Sequence, residues 1–137
     1  MSGIINSVGA KSGIIGSTEI PGGYEEGTWT PINANGITGQ WGNYIKIGKV
    51  VTITMAATND NDGVTASTWT GLPFTSNATG DRYQSITVGY QSETADVTWN
   101  GLVAPDSKTF TFRHGSNSET LSGTSVARMS GTYIAES

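Results

Sequence analysis

Apolar side chains recur at every second position in the segment that begins at Val51. Val51, Ile53 and Met55 share one side, and the residues between them, two threonines and an alanine, share the other. Because successive side chains of a β-strand point to opposite faces, this pattern predicts a half-buried antiparallel strand. Gly48-Lys49 interrupts the longer strand-like segment 44–57, which predicts either a bulge or a tight hairpin at that point.

The same alternation appears in three later segments, at residues 85–90, 96–100 and 108–113. Each brings together a small apolar set: Ile86, Val88 and Tyr90; Val97 and Trp99; Phe110 and Phe112. Shorter candidate strands lie at 28–31, 66–70, 120–123 and 131–135, and turn-forming residues fill 59–63, 77–81, 104–107 and 114–118. The 19 glycines and many β-branched residues disfavour helices. About eight short strands of this spacing predict an all-β, antiparallel β-sandwich that is jelly-roll-like.

Composition excludes several kinds of function. The chain has 137 residues and a net charge of −4. It contains no cysteine, which rules out disulfides and thiolate metal sites. Its few basic residues are scattered, which argues against a nucleic-acid partner. No apolar run approaches the roughly 20 residues of a membrane span, and the N-terminus does not resemble a signal peptide. We therefore expect no membrane partner and no export signal.

A short hydrophobic sequence motif occurs twice near the N-terminus. Residues 2–7, Ser-Gly-Ile-Ile-Asn-Ser, return ten positions later as Ser-Gly-Ile-Ile-Gly-Ser. Each buried isoleucine contributes roughly 1.5–3 kcal/mol, but a stretch this rich in glycine and serine cannot build its own core. We therefore predict an extended N-terminal attachment arm at 1–23 and a β-sandwich domain at 24–137. The expected attachment or oligomer contacts of the arm are Ile4, Ile5, Ile14, Ile15 and Ile20.

The sequence contains no recognisable set of catalytic or metal-binding residues. The single histidine, His114, stands beside a glycine and is read as a solvated turn residue, because a triad or a zinc site needs partners for it. Asp60 and Asp62 lack the other ligands of an EF-hand, although a looser calcium loop stays open. Glu25 and Glu26 are adjacent and would face opposite ways on a strand. The sequence predicts no enzyme, no cofactor and no metal.

The four tryptophans allow two interpretations. Trp29, Trp41, Trp69 and Trp99 could stack on sugar rings, but we expect most of them to fill the core or the seams between subunits. Trp41 lies in a glycine-rich stretch and is the one expected to be exposed. It is therefore the candidate for contact with a glycan.

Three motifs carry a resemblance to a known family. They are Glu-Gly-Thr-Trp-Thr-Pro at 26–31, Tyr-x-Lys-Ile-Gly with an alternating apolar sequel at 44–53, and Gly-Leu-Pro-Phe at 71–74. In this order, and behind the repeated Ser-Gly-Ile-Ile phrase, they resemble a module of tailed-phage virion proteins found in tail fibres and capsid-attached appendages. The resemblance implies a β-sandwich that is often trimeric and has no enzymatic activity.

The expected function follows from this resemblance and from the arm. We expect a non-enzymatic virion protein, most simply a capsid decoration (cement) protein that docks on the shell through its arm, because no fibre shaft accompanies the module. Its partners would be itself, as a homotrimer, and the major capsid protein or another virion protein. The alternative is a short tail or head fibre that binds a host surface glycan, and a glycan depolymerase is the third hypothesis.

Overall fold

A computed structural model describes residues 23–35, 37–59, 64–77, 82–93, 98–122 and 125–137. Residues 1–22, which hold the five isoleucines of the predicted arm, lie outside the described residues. The described residues form nine strands: β1 (Tyr24–Trp29), β2 (Thr38–Ile47), β3 (Val50–Thr58), β4 (Thr68–Thr70), β5 (Gln84–Gln91), β6 (Asn100–Val103), β7 (Thr109–His114), β8 (Asn117–Ser118) and β9 (Val126–Ile134). The prediction of an all-β, antiparallel fold is confirmed, and the curled sheet is consistent with a β-sandwich.

One antiparallel sheet runs in the order β1-β2-β3-β9-β5-β6-β7-β4, with β8 paired to β7. The sheet curls until its two ends meet. Directly after β1, the backbone N–H of Ile32 donates to the carbonyl of Thr70 in β4, and the N–H of Thr70 donates back, both at 2.9 Å. This pair of hydrogen bonds turns one face of every strand toward a single core.

The β2–β3 hairpin resolves the alternatives left at Gly48-Lys49. These two residues form a tight turn rather than a bulge, and Gly48 adopts a φ of 61°, which favours glycine. Val51, Ile53 and Met55 all lie in the core with at most 2% of their surface exposed. The alternation that predicted a half-buried strand is therefore confirmed.

Several predicted strand positions are wrong. β6 begins at Asn100, so residues 98 and 99 of the predicted strand 96–100 precede it, while residues 96 and 97 lie outside the described residues. Trp99 is buried although it precedes the strand. An apolar residue at this position therefore does not by itself indicate a strand. Residues 120–123 contribute only an isolated bridge at Ser122 among the described positions. β9 is much longer than the predicted 131–135 because it pairs with two neighbours, β3 and β5.

Tyr90 does not join Ile86 and Val88 in the core. The pairing of β5 with β9 shifts between Val88 and Tyr90, where Gly89 is inserted as a bulge. An inserted residue reverses the inward and outward alternation of the positions that follow it. Tyr90 is consequently 54% exposed and lies on the outside of the sheet.

The core is a chain of aromatic rings. Trp29 meets Phe110 edge-on with ring centroids 6.3 Å apart, and Phe110 stacks on Trp69 at 6.0 Å. Phe112 then contacts Trp69 at 5.4 Å and Trp99 at 5.8 Å. Each such pair stabilises the fold by roughly 0.5–1.5 kcal/mol beyond the contribution from burying the surface of the two rings. Three of the four tryptophans are thus core residues, as expected.

A glycine in β2 makes room for the first ring of this chain. Trp29 lies opposite Gly42 in the β1–β2 register. A Cβ added at Gly42 would stand 2.3 Å from Nε1 of Trp29, much closer than atoms can approach. The indole N–H of Trp29 reaches the carbonyl of Asn43 at 3.2 Å, which fixes the ring above this glycine.

The three motifs of the family resemblance meet at one end of the fold. Phe74, from the Gly-Leu-Pro-Phe motif, packs edge-on against Tyr44 with ring centroids 5.2 Å apart. The ammonium of Lys46 lies 5.2 Å from the centre of the same ring. Tyr44 donates a hydrogen bond of 2.7 Å to the carboxylate of Glu25, next to the first motif. These residues of the motifs therefore pack against one another at this end of the fold.

Tyr133 anchors this end of the fold to β9. Its hydroxyl donates to the carbonyl of Phe74 at 2.9 Å and accepts from the N–H of the same residue at 3.1 Å. The side chain is 1% exposed, and burial raises the pKa of Tyr133 to about 12.

Replacing Gly42 with alanine tests the close approach to Trp29. We expect Gly42→Ala to lower the free energy of unfolding by about 1–3 kcal/mol, because the tryptophan ring must move out of a packed core. Urea titrations followed by tryptophan fluorescence measure this loss. Gly89→Ala is the matched control, since a Cβ there meets nothing within 4 Å, and it should change stability by less than about 0.5 kcal/mol. Equal losses in the two variants would contradict the close packing.

Alkaline unfolding tests the buried hydroxyl of Tyr133. Because the pKa in the folded protein, about 12, exceeds the unfolded value near 10, stability should fall as the pH rises from 10 through 12. The slope contributed by this group is at most about 1.4 kcal/mol per pH unit. In Tyr133→Phe we expect a shallower decline, together with a loss of about 1–2 kcal/mol at neutral pH from the missing hydrogen bonds. The exposed Tyr83→Phe is the control, and parallel pH curves for Tyr133→Phe and the wild type would refute the assignment.

Candidate functional site

The outer face, meaning the side of β1, β2, β3, β9 and β5 that turns away from the core, is mostly hydroxyl-bearing or amide. One cross-strand row illustrates it: Thr28, Asn43, Thr54, Ser130 and Thr87. All of these are exposed. Such side chains suit a solvated sheet surface, so the large apolar residues that interrupt this surface need an explanation.

The first interruption is an apolar row that crosses four strands. Tyr24 pairs with Ile47, Ile47 with Val50, and Val50 with Ile134, so the four side chains stand side by side. Their exposed fractions lie between 40% and 55%. Ile45, two positions before Ile47 on the same face, is 45% exposed and widens the row. Neighbours in such a row are within contact distance, so this is a continuous patch rather than scattered residues.

A hollow of about 380 Å³ opens at the end of the apolar row. Its lining includes Asn77, Arg82, Gln84 and Ile134. The side chain of Gln84 accepts from the N–H of Ile134 at 2.6 Å and donates to its carbonyl at 3.1 Å, which ties down the backbone beside the hollow. A branched apolar side chain from another segment could enter this space.

The apolar row also lies where the predicted arm joins the domain. Gly23 accepts a hydrogen bond of 2.9 Å from the N–H of Gly48, at the turn between Ile47 and Val50. Gly23, the first described residue, therefore lies beside the row. The predicted contacts of the arm, from Ile4 to Ile20, lie outside the described residues, and their role stays a prediction.

A second interruption lies farther along the same face. Trp41 pairs with Ala56, and Ala56 with Arg128, which pairs with Tyr90. Trp41 is 53% exposed, which confirms that it is the exposed tryptophan, while its contact with a glycan stays a prediction. The guanidinium of Arg128 lies 5.8 Å from the centre of the Tyr90 ring. Sequence reasoning missed Tyr90 because it assigned that residue to the core.

The residues considered for chemistry are not brought together. His114 lies at the end of β7, exposed and paired with Asn117, rather than in the turn that follows. Glu25 binds the hydroxyl of Tyr44, and Glu26 accepts from the hydroxyl of Tyr24 at 2.5 Å. These hydrogen bonds to carboxylates raise the pKa of both tyrosine hydroxyls.

The acidic side chains and the histidine also form no metal-binding cluster among the described residues. In the described ranges, no three His, Asp or Glu side chains converge in a way that could hold a metal ion. Asp60 and Asp62 lie outside these ranges, so the looser calcium loop stays untested. Nor does the described part of the chain contain a helix with the length and apolar character needed to cross a membrane.

The outer face therefore offers two patches, an apolar row beside the root of the arm and an aromatic row around Trp41. Comparison with known protein families, with curated proteins and with solved structures finds no match to this chain.

Proposed function

We propose that this chain is a non-enzymatic structural protein of a tailed-phage virion, a capsid decoration protein that docks on the shell through its N-terminal arm. The observation that carries the proposal is the exposed apolar row at the point where residues 1–22 join the domain. The row is a contiguous exposed apolar patch, and such patches mark protein–protein contacts.

Burial of this surface would contribute to the free energy of attachment. Full burial of an isoleucine or valine side chain contributes roughly 1.5–3 kcal/mol. Because the side chains of the row are about half exposed, about half of this free energy becomes available when a partner covers them. The isoleucines of the arm add to this total when they enter a partner. The hollow beside Ile134 offers a place for a side chain of the partner or of a neighbouring copy.

A homotrimer is part of the proposal. Closed symmetry lets each copy present the same patch, and an interface of this kind buries apolar residues at its centre within a polar rim. The apolar row, bordered by the threonine-rich remainder of the outer face, has this arrangement. The major capsid protein or another virion protein then receives the arm, and the protein resides in the virion.

A short tail or head fibre that binds a host glycan is the second candidate. The exposed pair Trp41 and Tyr90 favours it, because flat aromatic rings on a sheet surface can stack on sugar rings. The two candidates differ in stoichiometry. A decoration protein accompanies the major capsid protein at a comparable copy number, whereas a fibre is present in few copies per particle.

Incorporation into purified particles tests the decoration proposal. We expect the wild-type band to scale with that of the major capsid protein, because each shell position offers a docking site. A full-length variant with Ile4, Ile5, Ile14 and Ile15 changed to serine should be lost from particles, and Ile47→Thr with Val50→Thr should reduce incorporation several-fold. A low copy number in wild-type particles would instead favour the fibre.

Val64→Thr is the matched control for this experiment. Val64 is 51% exposed but pairs with Ser122, away from the apolar row, so its incorporation should equal that of the wild type. Light scattering of the isolated variants reports whether the trimer survives. Normal incorporation of the arm variant would overturn the proposal that the arm attaches the protein.

A further inference from the structure

A groove of about 350 Å³ lies on the outer side of β4, β6 and β7 and has no part in the attachment proposed above. It is lined by Thr68, Tyr83, Leu102, Thr111, Arg113 and Ser118. A volume near 300 Å³ is the lower end of the range for small-molecule pockets. The groove is therefore large enough for one or two sugar rings and too small for a folded partner.

Strand pairing explains why these residues meet. Leu102 of β6 pairs with Thr111 of β7, and Thr111 pairs with Thr68 of β4. Their neighbours along the strands, Phe110 and Phe112, fill the core, so the alternate positions must face outward. Tyr83, just before β5, completes the wall of the groove.

The groove combines an apolar surface with hydroxyl groups. Tyr83 is 60% exposed, and Leu102 is half-buried in the groove. The hydroxyls of Thr68 and Thr111 lie 3.2 Å apart and share one hydrogen bond, so both can still accept from a ligand and one of them can still donate. A pyranose ring has the matching chemistry, because its C–H face can pack on an aromatic ring while its rim carries hydroxyls.

Arg113 adds a positioned positive charge. Its Nη1 donates a hydrogen bond of 2.8 Å to the hydroxyl of Ser118, on the paired strand β8. A guanidinium has five N–H donors in a planar fork, so one such bond leaves donors for a carboxylate. Among the described residues that line the groove, Arg113 is the one with a charge. A ligand that matches the groove is therefore an anion.

We propose that this groove binds a carboxylate-bearing sugar unit of an acidic polysaccharide, with the ring packed on Tyr83 and the carboxylate held by Arg113. The site does not depend on attachment of the protein to a capsid, although it would give the fibre alternative a second glycan contact. Single-stranded nucleic acid also combines rings with negative charge, but the net charge of −4 and the scattered basic residues disfavour it.

Calorimetric titration of the full-length protein with short oligogalacturonate tests the site. The matched ligand is the methyl ester of the same oligomer, which keeps the rings and removes the charge. We expect the acid to bind about tenfold more tightly than the ester, because a charge-assisted bidentate hydrogen bond is lost in the ester. An oligothymidylate of similar length is the nucleic-acid probe.

Variants separate the two contributions. Arg113→Gln should abolish the preference for acid over ester, and Tyr83→Ala should weaken both ligands about tenfold. Lys49→Gln is the matched control, because it removes one exposed positive charge at the β2–β3 turn and should leave binding unchanged. If Arg113→Gln fails to fold, Arg113→Lys keeps the charge without the planar fork and should lose most of the preference.

Four results would overturn the inference. They are failure of the acid to bind, equal affinity for acid and ester, survival of the preference in both Arg113 variants, and tighter binding of oligothymidylate than of the saccharide. Because none of these measurements uses virions, a negative outcome here leaves the attachment proposal standing, and loss of that proposal leaves this one untouched.

Discussion

Contact between Trp29 and Phe110 joins the two ends of the sheet. Trp29 belongs to β1 at one end, and Phe110 belongs to β7, beside β4 at the other. The hydrogen bonds between Ile32 and Thr70 make the same connection through the backbone. Because the sheet closes on itself, its main strands have one buried face and one solvent-exposed face, whereas both residues of β8 are exposed. The apolar row, the aromatic row and the groove all exist because this closure decides which residues stay outside.

The two faces of the sheet divide the residue types in a simple way. Large aromatic and aliphatic side chains fill the inside, and threonine, serine and asparagine cover most of the outside. A surface of this kind needs few charges, which explains why only 13% of the residues are charged. The exceptions carry information about function, since an exposed tyrosine or isoleucine on such a surface contributes nothing to the core. Their grouping into patches, rather than an even scatter, is the basis of the functional proposals.

The sequence predicts those features that depend on local periodicity. The strict alternation from Val51 to Met55 locates β3 and its buried side, whereas Gly48-Lys49 indicates an interruption whose form, a bulge or a tight turn, the sequence leaves open. The exposure of Trp41 was also predicted. The outward position of Tyr90 was not, because a bulge at Gly89 is a property of the pairing with β9 rather than of either strand alone.

Other features depend on residues that are distant in the chain. Gly42 must be a glycine because Trp29 covers it, and no local pattern in β2 reveals that requirement. The groove gathers side chains from separate segments, with Tyr83 and Arg113 thirty residues apart, so no motif connects them. The family motifs, in contrast, are readable in the sequence but turn out to stabilise one end of the fold. Recognisable motifs and candidate binding residues therefore overlap only in part: Ile45, Ile47 and Val50 belong to a motif and to the apolar row, whereas the residues of the groove belong to no motif.

Because β9 lies between β3 and β5, the sheet cannot be completed until residues 126–134 have been synthesised. β9 (Val126–Ile134) lies between β3 and β5 and pairs with both. On a translating ribosome, β3 and β5 emerge long before the strand that must separate them, and their edges stay unpaired until residues 126–134 leave the exit tunnel. The sheet between β3 and β5 is therefore completed only when β9 arrives, and until then these two strand edges are open to pairing with other chains.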